Sequence, residues 1–265
     1  SFPTRRSSDL LFFVAYALPE AAAVAFTAAL PIVSWAHGTV GVADVCAPSF
    51  AGRSQRDITY LNHWLAQGYA VVASDYQGLG TPGPHAYLHS RAAAYATLDS
   101  LRATLNTKEL PLGNKIVIVG QSQGAAAAFA TAGFAPDYAP ELKILGTIAT
   151  GTPHSGRPSK DGKIAYRSSP AEQESTDPSI AYILYIAAVA NQSKPRLPAE
   201  QVLSEKGLGA MKAAETRGRD AWPSRCAGRG IRQSHSGAIR NSCHQPAQRG
   251  LVWRRQDHRD SPIVR

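Results

Sequence analysis

Residues 120–124 read Gly120-Gln121-Ser122-Gln123-Gly124, a serine held at fixed spacing between two glycines. Five residues with three fixed positions say little alone, so the flanks decide. Before them lies a continuous apolar run, 115–119 (KIVIV), and after them an alanine-rich stretch, 125–132, of helical character. A strand that turns abruptly into a helix forces its central residue into a strained backbone conformation, and glycine at the flanks lets neighbouring elements come close. A hydroxyl on such a turn stands above a sheet at a helix N-terminus, whose N–H groups face an approaching carbonyl oxygen. The chemistry this suits is nucleophilic attack on an acyl group by Ser122. Two plainer readings compete. The glycines can mark a tight turn capped by Ser122, or a phosphate-cradling loop, although no lysine follows and no G-x-G-x-x-G occurs.

The elements that must position this serine alternate along the chain. Residues 33–36 form a short apolar strand that ends at His37-Gly38. Ile58, Leu61 and Leu65 recur at helical spacing, with Ser54 as N-cap and Gly68 as the stop. Residues 69–73 (YAVVA) read as a buried strand running into Asp75. Ala94, Leu98, Leu101 and Leu105 mark a helix from about Ser90, and 144–149 is the next strand. Strands apolar on both faces and separated by helices predict an α/β fold, a mostly parallel sheet covered by helices on both faces. Residues 155–216 lose the strand pattern. Two helical segments there, 180–190 and 199–214, predict a helical cap over the sheet's edge or top.

Three segments, 34–49 (SWAHGTVGVADVCAPS), 73–83 (ASDYQGLGTPG) and 118–130 (IVGQSQGAAAAFA), together resemble the α/β-hydrolase superfamily, and within it the secretory lipase family. The likeness covers roughly residues 32–210. It implies serine hydrolysis of carboxylic esters, an acyl ester or lipid substrate, a secreted or extracytoplasmic location, and no cofactor. By position, Ser122 is similar to the family's nucleophile and Gln123 supplies one oxyanion-hole N–H. The second donor is expected on the D-Y-x-G loop, at Asp75 or Tyr76, with His37 and Gly38 as the alternative oxyanion loop. A further reading of Asp75 is a strand-end acid that orders its loop by accepting backbone N–H groups.

A serine needs a histidine base held by a carboxylate, and in this fold both follow the nucleophile in the order acid, then histidine. The late candidates are Asp220, Asp257 and Asp260 with His235, His244 and His258. None follows an apolar strand run, and Asp257 and His258 are adjacent. His154 precedes any acid in that order. The triad acid and base therefore stay unassigned, and the sheet is expected to be incomplete. A non-catalytic binding protein of the same fold, with a basic tail for anionic partners, is the competing reading.

Both ends differ in character from the middle. Residues 1–10 resemble a translated sequencing adapter, and 10–18 is an apolar run behind Arg5 and Arg6 that reads either as a signal-like leader or as core strand. The domain reading is thus a leader over 1–23, a hydrolase core over 24–154, a cap over 155–216 and a tail over 217–265. The net charge of +9 sits in that tail, where 11 arginines face three acids for a net +8. The remaining 17 basic and 16 acidic residues leave +1 for the rest. Arginine without lysine, together with Trp222, Trp253, Cys226 and Cys243, reads as out-of-frame text more readily than as a phosphate-binding arm, so no nucleic-acid partner is expected. No apolar run reaches the roughly 18 residues of a membrane span. Three cysteines make no disulfide framework, and Cys46 reads as either a buried thiol or half of an unassigned pair. His63, His85 and His89 lack ligand spacing, so no metal site is expected.

Overall fold

A computed structural model describes residues 13–17, 29–107, 110–153, 180–192, 198–201, 203–217 and 254–257. Its sheet has strands β1 (Phe13–Ala17), β2 (Leu30–Ala36), β3 (Ala70–Ser74), β4 (Leu112–Gln121), β5 (Ile144–Thr150) and β6 (Arg254–Asp257), in the order β5-β4-β2-β3-β1-β6. The four central strands β5, β4, β2 and β3 are parallel, and β1 and β6 add antiparallel pairs at one side. Parallel neighbours need crossovers, and helices supply them. These are α2 (Gln55–Ala66), α3 (Ser90–Leu105) and α4 (Gln123–Tyr138), with a short α1 (Pro48–Ala51) before them.

Strand alternation sorts the core into two layers. Ile32, Val72, Ile116 and Ile118 face α3 and α4 and meet Leu98, Leu101, Ala127 and Ala128. Val33, Trp35, Val71, Ala73 and Val119 face the other way and meet Leu61 and Leu65 of α2. A large aliphatic buried this completely contributes about 2 kcal/mol, so each helix is held chiefly by its inner stripe. The predicted caps of α2 are present: Ser54 accepts the Asp57 N–H at 3.2 Å, and Gly68 follows the last turn with φ +83°. Helix α3 starts at Ser90 as expected, but its cap is His89, whose Nδ1 accepts the Ala92 N–H.

β2 and β4 are longer than their apolar runs because backbone ladders extend past the buried stripe. β2 even includes Pro31, which the missing N–H would exclude from a regular ladder, but the register to β4 shifts between Leu30 and Ile32 at that point. β1 lies inside the segment read as a leader and pairs antiparallel with β3. β6 arises within the patternless tail. Antiparallel pairing to β1 uses backbone groups, so an edge strand can form without the side-chain alternation that sequence reading relies on.

Beyond β5, helix α5 (Ile180–Gln192) and helix α6 (Glu205–Arg217) pack on each other through Leu184, Ala188 and Met211. The segment 199–214, read as one helix, is instead a single 3-10 turn at Ala199–Gln201 followed by α6. Leu203 N–H closes that turn on Ala199 O, and Ser204 begins α6 by accepting the Gly207 N–H. The pair docks on the core loops through Tyr185, Ala181 and Ala214 against Tyr87, whose ring meets Tyr185 edge-on at 5.6 Å. It therefore sits over the carboxyl end of β2 and β3.

Candidate active site

The turn from β4 to α4 is a single residue. Ser122 has φ 56° and ψ −119°, a conformation that costs a non-glycine residue about 1–3 kcal/mol. Close packing holds it there. A Cβ on Gly120 would lie 2.0 Å from Gly124 O, and one on Gly124 would lie 1.8 Å from Ala36 O. Only glycine lets α4 come this near to β4 and β2. On the other side, Ser122 N–H donates to Thr150 O at 2.9 Å, which ties the turn to β5. The first helical bonds run from Ala125 and Ala126 to Ser122 O, so the N–H groups of Gln123 and Gly124 have no acceptor within the helix. The Ser122 side chain is half-buried and caps nothing.

Two loops stand beside this turn. The first follows β2: a Cβ on Gly38 would lie 2.9 Å from Gln121 Oε1 and 3.8 Å from Ser122 Cβ. His37 is fully buried, its Nδ1–H donates to Gly38 O at 2.7 Å, and its ring lies 4.4 Å from that of Tyr76. Burial pushes its pKa down to about 3, so the imidazole is neutral. The second loop follows β3. Asp75 is buried and its Oδ1 accepts the Ser49 N–H at 3.1 Å, so the carboxylate orders its surroundings through backbone, one of its expected parts. The buried guanidinium of Arg53 is attracted by Asp75 and Asp57, against a desolvation that lowers its pKa.

Tyr76 bridges the two loops. Its phenol donates to His37 O at 3.0 Å, and burial drives that phenol far above its ordinary pKa. Its backbone, at φ 69°, donates N–H to Ser74 Oγ at 3.0 Å. Next along the loop, His85 reaches Gln123: its Nε2 lies 3.0 Å from Gln123 Nε2, and its Nδ1 lies 3.0 Å from Gln77 O. A cleft of about 120 Å³ opens beside it, lined by Asp44, Pro84, His85, Ala188, Val189 and Glu215 among others.

All six residues singled out at this end of the sheet are thus brought together: Ser122 and Gln123 on the turn, His37 and Gly38 on one loop, Asp75 and Tyr76 on the other. The triad candidates are not among them. His154, Asp220, His235, His244, His258 and Asp260 lie outside the described residues. Asp257 falls on β6, four strands from β4, roughly 19 Å at the usual strand spacing. That is far beyond reach of a base on Ser122. Sequence reading missed His85, Arg53 and the Tyr76 phenol, whose partners Gln123, Asp75 and His37 lie 38, 22 and 39 positions away and leave no local pattern. Cys46 is a buried thiol packed among Ala43, Ala47 and Leu79.

A parallel sheet flanked by helices, with a strained serine at a strand-to-helix turn above its carboxyl edge, defines an α/β-hydrolase. Residues 47–155 match the secretory lipase family. The chain is 36% identical over 123 residues to lipase A of Moesziomyces aphidis, covering 42% of this chain and 26% of that protein. It is 37% identical over 99 residues to the secreted triacylglycerol lipase LIP1 of Malassezia furfur, covering 37% of this chain and 20% of that one. Among solved structures it superposes on closed Candida antarctica lipase A with a TM-score of 0.56 at 26% identity, covering 77% of this chain and 46% of that one. The family match takes in residues 47–155 only, so the likeness to secretory lipases rests on the stretch that carries the serine turn and the loop after β3. The chain spans about a quarter of the length of these sequence relatives.

Proposed function

We propose that this protein is a carboxylic ester hydrolase of the lipase type that works through an acyl-serine, with Ser122 as nucleophile. The observation that carries this reading is the Ser122 backbone, held at positive φ by two glycines that no other residue can replace. Such strain persists only where the surrounding structure fixes it, and here it lifts one hydroxyl out of the helix to the sheet's carboxyl edge. As an acyl carbonyl is attacked, its oxygen gains negative charge. The Gln123 N–H, at the positive end of α4, is one donor suited to that charge, and the loop after β3, at Asp75 or Tyr76, is the expected source of the second. His37-Gly38 is the alternative second donor, since Gly38 borders Ser122 directly.

The substrate class is an acyl ester or lipid, as the names of the relatives indicate, and the location extracellular. The described helices include none long and apolar enough to cross a membrane. A second reading, a non-catalytic binding protein, is favoured by one observation. The buried histidines near the turn, His37 and His85, have their basicity lowered by burial and meet Gly38 O, Gln77 O and the Gln123 amide rather than Ser122, so neither is placed as its base. A fluorophosphonate probe separates the two readings because it reacts only with an activated hydroxyl. Labelling that disappears in Ser122→Ala supports the hydrolase; equal labelling of both proteins removes it.

A further inference from the structure

The residue after the candidate nucleophile has a side chain that the reaction itself does not need, because an oxyanion hole uses only its backbone N–H. Yet the Gln123 side chain is almost wholly buried and meets His85, itself 4% exposed and 38 positions earlier. Burying polar side chains is unfavourable unless they find partners; here the Gln123 amide nitrogen pairs with the ring in one orientation only, while its Oε1 is buried without a hydrogen-bond partner. Gln77 O can only accept, so the His85 Nδ1 beside it carries the proton. A neutral ring then leaves Nε2 as an acceptor, which takes a hydrogen from the Gln123 amide nitrogen. The opposite amide orientation would set Oε1 against that lone pair.

The ring is itself fixed. It stacks on Tyr76 at 6.3 Å with an interplanar angle of 13° and tilts against Tyr87 at 6.2 Å. Its loop is locked from behind, because a Cβ on Gly78 would lie 2.2 Å from Pro84 O. Tyr76 in turn holds the loop after β2 through His37 O. A chain of contacts therefore runs from the loop after β3 to the first residue of α4.

We propose that His85 is a positioning residue: through its neutral Nε2 it clamps the Gln123 side chain and so fixes the direction of the Gln123 backbone N–H at Ser122. This rests on the hydrolase reading for its consequence and on geometry alone for the clamp. Oxyanion donors act by being aimed before the reaction, and small misplacements of catalytic groups lower rates steeply. Burial also keeps the ring neutral, with its pKa down at about 4. The titratable groups around it are Tyr76, Tyr87 and His37, with Asp44 and Glu215 across the cleft.

The test uses the full chain in two arms. In the first, Ser122 phosphonylation by a p-nitrophenyl phosphonate is timed in His85→Phe, Gln123→Leu and the double variant. Each single change is expected to slow labelling about 10- to 100-fold. The double should be no slower than either single, the mark of one shared contact. His85→Gln, whose carbonyl can accept where Nε2 does, should recover most of the rate. Multiplicative losses in the double variant, or no rescue by His85→Gln, would overturn the clamp. In the second arm, nitrogen NMR of the His85 ring at neutral pH should show protonated Nδ1 and bare Nε2, with the Nε2 signal shifting in Gln123→Leu. The backbone amide signal of Gln123 should move in His85→Phe while those of β2 and β3 stay. A protonated Nε2, or an unmoved Gln123 amide, sinks the proposal whether or not Ser122 labels. Absent labelling of the unaltered protein with the expected NMR pattern sinks only the hydrolase reading and upholds the clamp.

Discussion

β4 and β5 are adjacent parallel strands of similar apolar text, yet they live in opposite surroundings. Around the end of β4, Gly120, Ser122 and Gly124 are locked so closely that added atoms would meet backbone. On β5, Leu145 is 68% and Ile148 40% exposed, and Gly146 has nothing within 4 Å of where a Cβ would sit. β5 is the last strand of the described sheet on its side. Hydrophobic sequence therefore marks strands well but does not by itself bury them. Burial depends on neighbours, and β4 has strands on both sides and helices on both faces.

Paired glycine substitutions give the strongest test of that contrast. Gly124→Ala should destabilise the protein by about 3 kcal/mol or more, since steric conflict with backbone is among the few mechanisms of that size. Gly146→Ala should be neutral or stabilising by up to about 1 kcal/mol, because it restricts only the unfolded chain. Urea denaturation of both variants measures the difference; similar losses would erase the distinction between the strands.

Acid should act next, and at the β4 end. Burial holds His37 at about 3 and His85 at about 4, below the ordinary imidazole value of 6.5. As pH falls below 6.5 the unfolded chain takes up protons that the folded chain refuses, so stability is full above that value. It declines by about 1.4 kcal/mol per pH unit for each histidine down to near its folded value. Denaturation midpoints between pH 7 and 4 should show this slope, and His85→Gln should remove about half of it. A flat profile would mean that water reaches these rings.

The smallest effect is expected at β5. Leu145→Lys should change stability by less than about 0.5 kcal/mol, as exposed substitutions usually do. It should lower self-association instead, because an open apolar edge is a template for pairing and a charge blunts it. Light scattering against time at equal concentration checks this. A large loss of stability would show that Leu145 is covered in solution.

Much of the fold was legible because its signals are local. Ser54, the stripe of α2, the run 115–119 and the glycines around Ser122 each act within a few residues. What escaped is non-local or patternless. β6 pairs through backbone, and the break between Gln201 and Glu205 depends on one turn closing on Ala199. His85 showed nothing in sequence, since its meaning comes from Gln123 across the fold. The Tyr76 phenol was equally silent, since its partner, His37 O, lies on another loop.

The sequence by itself determined that a serine between two glycines ends an apolar strand and begins a small-residue helix, because backbone sterics and periodicity are written in adjacent residues. Only the tertiary structure decided what surrounds that turn: Gly38 beside the serine, and His85 against the side chain of the residue after it. These contacts join positions 38 to 84 residues apart, and they exist because the parallel sheet gathers the carboxyl ends of β2, β3 and β4 along one edge.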